Sequence, residues 1–245
     1  MKSSKDSRVG RLTRLAVMAL LWLVPTLVAA AAPVTTVAQY NVTSRGFRIG
    51  SVTTSQLYSS EGGSTTLQFE TRTAVSASFL WLGYHLDTVE RGTVKDGTLV
   101  SYYRQGEDNG TSITVDGRLE GQNFRFAVQE QGGRRTVIIP RSSYDSTTME
   151  LPEALLDFRG REAITLRVLD VEHLAVVRRE YRLIREARYS ISGRDHPCRI
   201  VDYADPNKRG RRWVQKERDA IVMYRQDGQG DQSYSVKAVS LSRRL

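Results

Sequence analysis

Between Thr93 and Pro140 the chain alternates apolar and polar residues in short runs that are separated by turn-forming pairs. Alternation at every second position is typical of antiparallel strands with one buried face. The turn pairs recur roughly every dozen residues, the spacing of consecutive hairpins. Asp-Gly and Asn-Gly are strong hairpin signals because a type I′ turn needs positive φ at both central positions. The pairs are Asp96-Gly97, Asn109-Gly110, Asp116-Gly117 and Gly132-Gly133.

A similar pattern on both sides of these hairpins predicts an all-β protein. Threonine-rich runs precede them over 37–78, and alternating runs follow over 163–241. The stretch 149–158 differs, because a proline and early acidic residues there predict a short helix. The run 174–184 fits both helical and strand spacing, and its neighbours favour a strand. We therefore expect an antiparallel meander that forms a single domain over 31–245.

The first 30 residues have the organisation of a secretory signal peptide. Basic residues precede an apolar stretch from Leu15 to Val28, and small residues follow it. Cleavage is expected after Ala30. The alternative is an uncleaved membrane anchor, but the apolar stretch is short for a spanning helix and Pro25 interrupts it. We predict an exported protein with no stable transmembrane segment after cleavage of the signal peptide.

Charge and cysteine content exclude two classes of protein. The formal net charge is +9 over 245 residues, and part of it lies in the basic leader, so the mature chain is only mildly basic. We therefore predict no nucleic-acid partner. The single cysteine, Cys198, allows neither an intramolecular disulfide nor a cysteine metal cluster. The fold must be held by its core, which a chain of this length can supply.

No motif in the sequence predicts a catalytic centre, a metal or a cofactor. An acid, a base and a thiol adjoin at 195–198, but neighbouring residues in a strand point to opposite faces, which favours a core position for Cys198. The histidines His85, His173 and His196 have no partner at metal-binding spacing. The G-x-S-x-G, P-loop and G-x-G-x-x-G motifs are absent from the sequence. A protein without enzymatic activity is the interpretation we favour.

Glycines and aromatic residues stand at the ends of several expected strands, in a consistent order along the chain. These segments are Phe47-Arg48-Ile49-Gly50, Phe79 to Leu86, the Asp96-Gly97 hairpin, the short helical insertion, Cys198 to Tyr203, and Trp213 leading to Ile221 to Gly228. Over about 38–242 the chain resembles an uncharacterised family of exported bacterial all-β proteins, a domain of unknown function. The resemblance implies a periplasmic location and a partly open β-barrel or β-roll, with one short helix near 149–158. It carries over no catalytic residue.

Three functions are compatible with an exported protein of the bacterial envelope. The first is a binding or carrier module whose open barrel accepts a lipid or another hydrophobic small molecule. The second is a structural or interaction protein with a solid core that binds an envelope protein partner. The third is a hydrolase of unknown substrate, with a histidine beside a carboxylate or hydroxyl in a cleft. The aromatic residues expected to line the ligand site of the first are Phe79, Trp81, Tyr84, Phe124, Phe126 and Trp213.

Overall fold

A computed structural model describes residues 31–79, 82–217, 220–229 and 233–244. The expected signal peptide over 1–30 lies outside these residues, as does Trp81. None of the helices in the described part of the chain is long and apolar enough to cross a lipid bilayer.

The described residues form fifteen strands in one sheet. The strands are β1 (Ala31–Ser44), β2 (Phe47–Glu61), β3 (Ser64–Phe79), β4 (Leu82–Lys95), β5 (Thr98–Asp108), β6 (Thr111–Glu120), β7 (Asn123–Glu130), β8 (Gly133–Pro140), β9 (Ser146–Thr147), β10 (Ile164–Asp170), β11 (Ala175–Ile191), β12 (Arg194–Ala204), β13 (Arg209–Glu217), β14 (Ala220–Gln229) and β15 (Tyr234–Arg244). Two single 3-10 turns, Arg141–Ser143 and Pro152–Ala154, lie between β8 and β10.

The sheet is an open meander. Its strand order is β8-β7-β6-β5-β4-β3-β2-β1-β15-β14-β13-β12-β11-β10-β9, so the first and last strands of the chain pair in its middle. All pairs are antiparallel except β9 with β10. The edges β8 and β9 are neighbours in sequence, yet they do not pair with each other. The predicted all-β, partly open barrel is therefore confirmed.

Apolar packing rolls the open sheet into a barrel-like shape. Side chains in the first of three clusters come from β3–β8, including Phe124 on β7, and contact Leu169 on β10 and Leu174 just after it. Strands from the two ends of the sheet therefore share one core. The second cluster joins β1 to β14 and β15 around Tyr40 and Tyr224, and the third lies along β10–β13.

Glycines opposite aromatic rings allow neighbouring strands to approach closely. A Cβ added to Gly117 on β6 would lie 2.7 Å from ring carbons of both Phe124 and Phe126 on β7. The turn predicted at Asp116-Gly117 is therefore wrong, because these two residues continue β6 while the rings cover the glycine. The reversal lies instead after Glu120, where Gly121 has a φ of 59°.

The short helix predicted near 149–158 is only a single 3-10 turn, Pro152–Ala154. Leu151 has a φ of 47°, in the left-handed region, so an α-helix cannot extend through it. The turn is buried and packs against β13.

Two other segments are placed by the strand pairing. The run 174–184 lies largely within β11, as predicted. The segment 79–86 includes the end of β3 and the start of β4, where Phe79 pairs with Leu82. In β4 the exposed Gly83 and His85 alternate with partly buried residues, so one face of this strand is wet.

Candidate functional site

A polar cavity of about 460 Å³ lies on the core-facing side of the sheet. Strands β3–β5 form one wall, and residues from β10 to β15 form the other. The exposed side chains of Glu172 and His173 mark its mouth, whereas Thr88 and Asp170 in its walls are buried. The cavity is lined by Thr73, Leu86, Thr88, Glu90, Arg104, Thr148, Met149, Asp170, Val171, Glu172, His173, Arg179, Tyr203, Asn207, Lys208, Arg212, Gln226 and Tyr234.

Asp170 organises the charges at one end of the cavity. Its Oδ2 atom lies 3.1 Å from Lys208 Nζ, 3.2 Å from His173 Nδ1 and 3.6 Å from Arg179 Nη2. Burial acts to raise the pKa of Asp170, but Lys208 and the hydrogen bonds outweigh burial, so the pKa is lowered. Arg179 is fully buried and donates through Nε to Asp205 Oδ2 at 2.7 Å. This group is held as a set of ion pairs.

Asp170, Glu172 and His173 place possible metal-ligand atoms within 4.8 Å of one another. Lys208 Nζ is 2.8 Å from Glu172 Oε2 and also contacts Asp170, so an ammonium group already balances these carboxylates. We assign no metal ion to the group, and the absence of a metal stays a prediction.

A second buried ion pair includes Arg212, which also lines the cavity. Arg212 Nη1 donates to Glu153 Oε1 at 2.6 Å, and its Nε donates to Gln226 Oε1 at 2.7 Å. The guanidinium also lies 4.4 Å from the ring centroid of Tyr203. Burial by itself would lower the pKa of Arg212, but the Glu153 carboxylate more than reverses this effect and the pKa is raised.

Arg104 on β5 differs from the other cavity arginines. Arg104 is only 8% exposed, yet its guanidinium makes neither a hydrogen bond nor an ion pair with the described residues. Glu90 lies opposite it in the register of β4 and β5 but not within ion-pair distance. Burial raises the pKa of Glu90, and Tyr102 donates a long hydrogen bond of 3.4 Å to it. Arg104 is therefore a largely buried cation that lines the cavity and makes no ion pair with the described residues, although Glu90 is near enough to interact with it electrostatically.

The structure separates the aromatic residues that were expected to line a ligand site. Phe124 and Phe126 are fully buried in the first cluster, with ring centroids 4.7 Å apart, and they do not border the polar cavity. Tyr84 and Trp213 are partly buried against the second cluster. The Trp213 ring also lies 4.5 Å from the guanidinium of Arg225.

The remaining two candidates are Phe79, at the end of β3, and Trp81. Trp81 is outside the described residues, and the side chain of Phe79 is also outside them. The role of all six aromatic residues in ligand binding stays a prediction.

A histidine and a carboxylate do meet in the cavity, as the hydrolase hypothesis requires. His173 contacts Asp170, but no serine, threonine or cysteine side chain of the described residues bonds to this imidazole. Nucleophilic catalysis needs such a contact to activate the attacking group. Cys198 is buried in the second cluster, and burial raises the pKa of its thiol to about 11, which fits a core position. The pair alone does not form an activated nucleophile.

The fold is similar to that of a solved structure. It is the crystal structure of a β-barrel-like protein of domain of unknown function DUF1849 from Brucella abortus, with a TM-score of 0.57. The two sequences are 16% identical, and the match covers 86% of this chain and 98% of that one. At this identity the likeness shows the fold alone, and it agrees with the resemblance to an uncharacterised all-β family. No protein-family model and no curated protein matches the chain.

Proposed function

We propose that the protein is a non-enzymatic periplasmic binding or carrier protein that holds a small amphiphilic ligand inside its open barrel. The observation that carries this proposal is the polar cavity, whose volume of about 460 Å³ is typical of sites for small organic molecules. Buried residues of the barrel, among them Thr88, Asp170 and Arg179, line this cavity.

The lining of the cavity refines the expected chemistry of the ligand. A purely hydrophobic ligand would leave the buried charged groups without solvent, which is costly. Apolar side chains from Leu86, Met149 and Val171 share the lining with these charges. A polar headgroup with a short apolar part matches both kinds of surface. A lipid with a polar headgroup and a short apolar chain belongs to the class of ligand that we predicted from the sequence.

Export supports the periplasmic part of the proposal. The basic, apolar and small-residue regions of 1–30 have the order of a signal peptide. The resemblance to exported envelope proteins points to the same compartment.

The test is native mass spectrometry of the mature protein purified from its own periplasm, followed by organic extraction. We expect one small amphiphile per chain. Thr88→Phe would fill the cavity and reduce recovery of the ligand, because Thr88 is 3% exposed and borders the cavity. Val89→Phe on the opposite face of the same strand is the matched control. Bare wild-type protein, or equal recovery from both variants, would contradict the proposal.

A specific feature favours a second candidate function, the binding of an envelope protein. Strand β8 is an edge strand, so its outer row of backbone groups has no strand partner in the sheet. Ile138 on this strand is 57% exposed, and Arg134 and Arg135 are exposed as well. A partner could add an extended segment to this edge. Photo-crosslinking in intact cells from position 138, compared with position 125 on β7, would test this.

A further inference from the structure

We propose that the polar cavity binds the anionic group of its ligand, a carboxylate or a phosphate, through the guanidinium of Arg104. This inference rests on the proposed binding function and adds the chemical class that the cavity recognises.

The first argument is the pairing of charges around the cavity. Arg179, Arg212 and Lys208 each have a carboxylate within 2.8 Å. Among the arginines and lysines of the described cavity lining, Arg104 is the one without a carboxylate at ion-pair distance. Its Nε atom is buried without a hydrogen-bond partner. An anion beside Arg104 would complete the charge pairing around the cavity.

The second argument is the cost of leaving this charge uncompensated. A cation withdrawn from water needs a counter-ion or a full set of hydrogen bonds, and buried polar groups almost always have one. The planar guanidinium presents parallel N–H donors that match the oxygen pair of a carboxylate or phosphate. Because Arg104 is 8% exposed, an anion bound to it would be shielded from screening by bulk water.

The third argument concerns the nearest internal carboxylate. Glu90 lies opposite Arg104 in the register of β4 and β5, but no ion pair forms between their side chains. Burial raises the pKa of Glu90, and the charge of Arg104 acts in the opposite direction. The guanidinium donors of Arg104 are therefore not taken up by Glu90, and an anion in the cavity can accept from them.

Calorimetric titration of the mature protein tests the inference with four probes: sodium octanoate, octyl phosphate, inorganic phosphate and uncharged 1-octanol. We expect the two anionic amphiphiles to bind at least ten times more tightly than octanol. Binding of inorganic phosphate with comparable affinity would identify a free anion as the ligand, whereas binding of the octyl compounds alone would identify a headgroup. Both outcomes support the inference if the variants below respond as expected.

Variants of Arg104 separate charge recognition from general packing. Arg104→Gln should weaken octanoate and octyl phosphate at least tenfold and leave octanol unchanged. Arg104→Lys should give an intermediate loss, because lysine retains the charge but not the paired donors. Arg118→Gln is the matched control, since Arg118 lies on the outer face of β6 with its side chain 73% exposed. Without a probe, Arg104→Gln should melt no lower than the wild type, which shows that it folds.

Failure of the inference can be told from failure of the proposed function. If Arg104→Gln binds both anionic probes as tightly as the wild type, Arg104 is not the anion site, although binding itself stands. If all four probes bind equally to wild type and variant, recognition does not depend on charge and the inference is overturned. If no probe binds and no amphiphile is extracted from the native protein, the proposed function fails as well.

Discussion

The ion pair between Glu153 and Arg212 gives the sharpest test of how the connection between β9 and β10 is fixed to the sheet. Glu153 lies in the 3-10 turn of the long connection between β9 and β10, and Arg212 lies on β13. The two side chains meet at 2.6 Å, with 1% and 10% of their surfaces exposed. Replacing Glu153 by Ala removes the carboxylate partner of a cation whose side chain is only 10% exposed.

The structure fixes the size of the expected effect. Breaking a buried ion pair by removing one partner costs about 3–5 kcal/mol, because the remaining charge is uncompensated. Arg212 would retain its hydrogen bond to Gln226 and its contact with Tyr203, which favours the lower end of that range. We therefore expect Glu153→Ala to reduce the free energy of unfolding by about 3 kcal/mol.

Urea denaturation, followed by tryptophan fluorescence and circular dichroism, measures this change. The matched control is Asp157→Ala in the same connection, because the ion pair of Asp157 with Arg159 is exposed and surface pairs contribute little. The double variant Glu153→Leu with Arg212→Met removes both charges and should regain most of the loss. A loss for Glu153→Ala no larger than that for the control would refute the argument that this pair secures the connection.

Three further outcomes follow from other parts of the structure. Gly117→Ala should lower the free energy of unfolding by about 1–3 kcal/mol, because the added Cβ would overpack against Phe126. Gly133→Ala is the control in the same urea assay and should change this free energy little, because a Cβ added there has no atom within 4 Å. The raised pKa of Glu90 means that the folded state holds the proton of this carboxyl more tightly than the unfolded state does, so stability should fall as the pH rises from about 4.5 through the folded pKa. Glu90→Gln should flatten this dependence of melting temperature on pH. A slope equal to that of the wild type would contradict the prediction. Cys198, whose pKa burial raises to about 11, should react with iodoacetamide at neutral pH only after unfolding, and rapid labelling of the native protein would show that the thiol is accessible.

Local turn chemistry made much of the fold predictable. Asp96 and Asn109 have φ values of 48° and 50°, the conformation that their Asp-Gly and Asn-Gly pairs predicted. The turn predicted at Asp116-Gly117 does not form, because Gly117 packs against aromatic rings of the neighbouring strand that come several residues later in the chain. The α-helix predicted near 149–158 does not form for a related reason. The left-handed conformation of Leu151 depends on the packing of this connection rather than on local propensity. Where tertiary contacts decide the backbone, sequence pattern is insufficient.

The polar cavity was missed, although part of its signal is present in the sequence. Arg179 alternates with Val177 and Tyr181, which are buried, so a charge stands in phase with the core face of β11. Such a position indicates a buried polar group. Its partner Asp205 is 26 residues away in sequence, and only the pairing of β11 with β12 brings the two together. The aromatic residues gave a stronger pattern, which directed attention to the packed part of the core.

The interior therefore combines the two non-enzymatic hypotheses instead of choosing between them. Phe124 and Phe126 pack so closely that a hydrophobic ligand could enter their cluster only by displacing native contacts, at a cost of several kcal/mol. The polar cavity contains space beside Arg104, where an anion could bind without displacing native contacts. The proposed ligand would therefore bind where the barrel is charged, and the apolar clusters would stabilise the fold. A carrier built in this way would bind its ligand by the headgroup, and the apolar chain would be held less specifically.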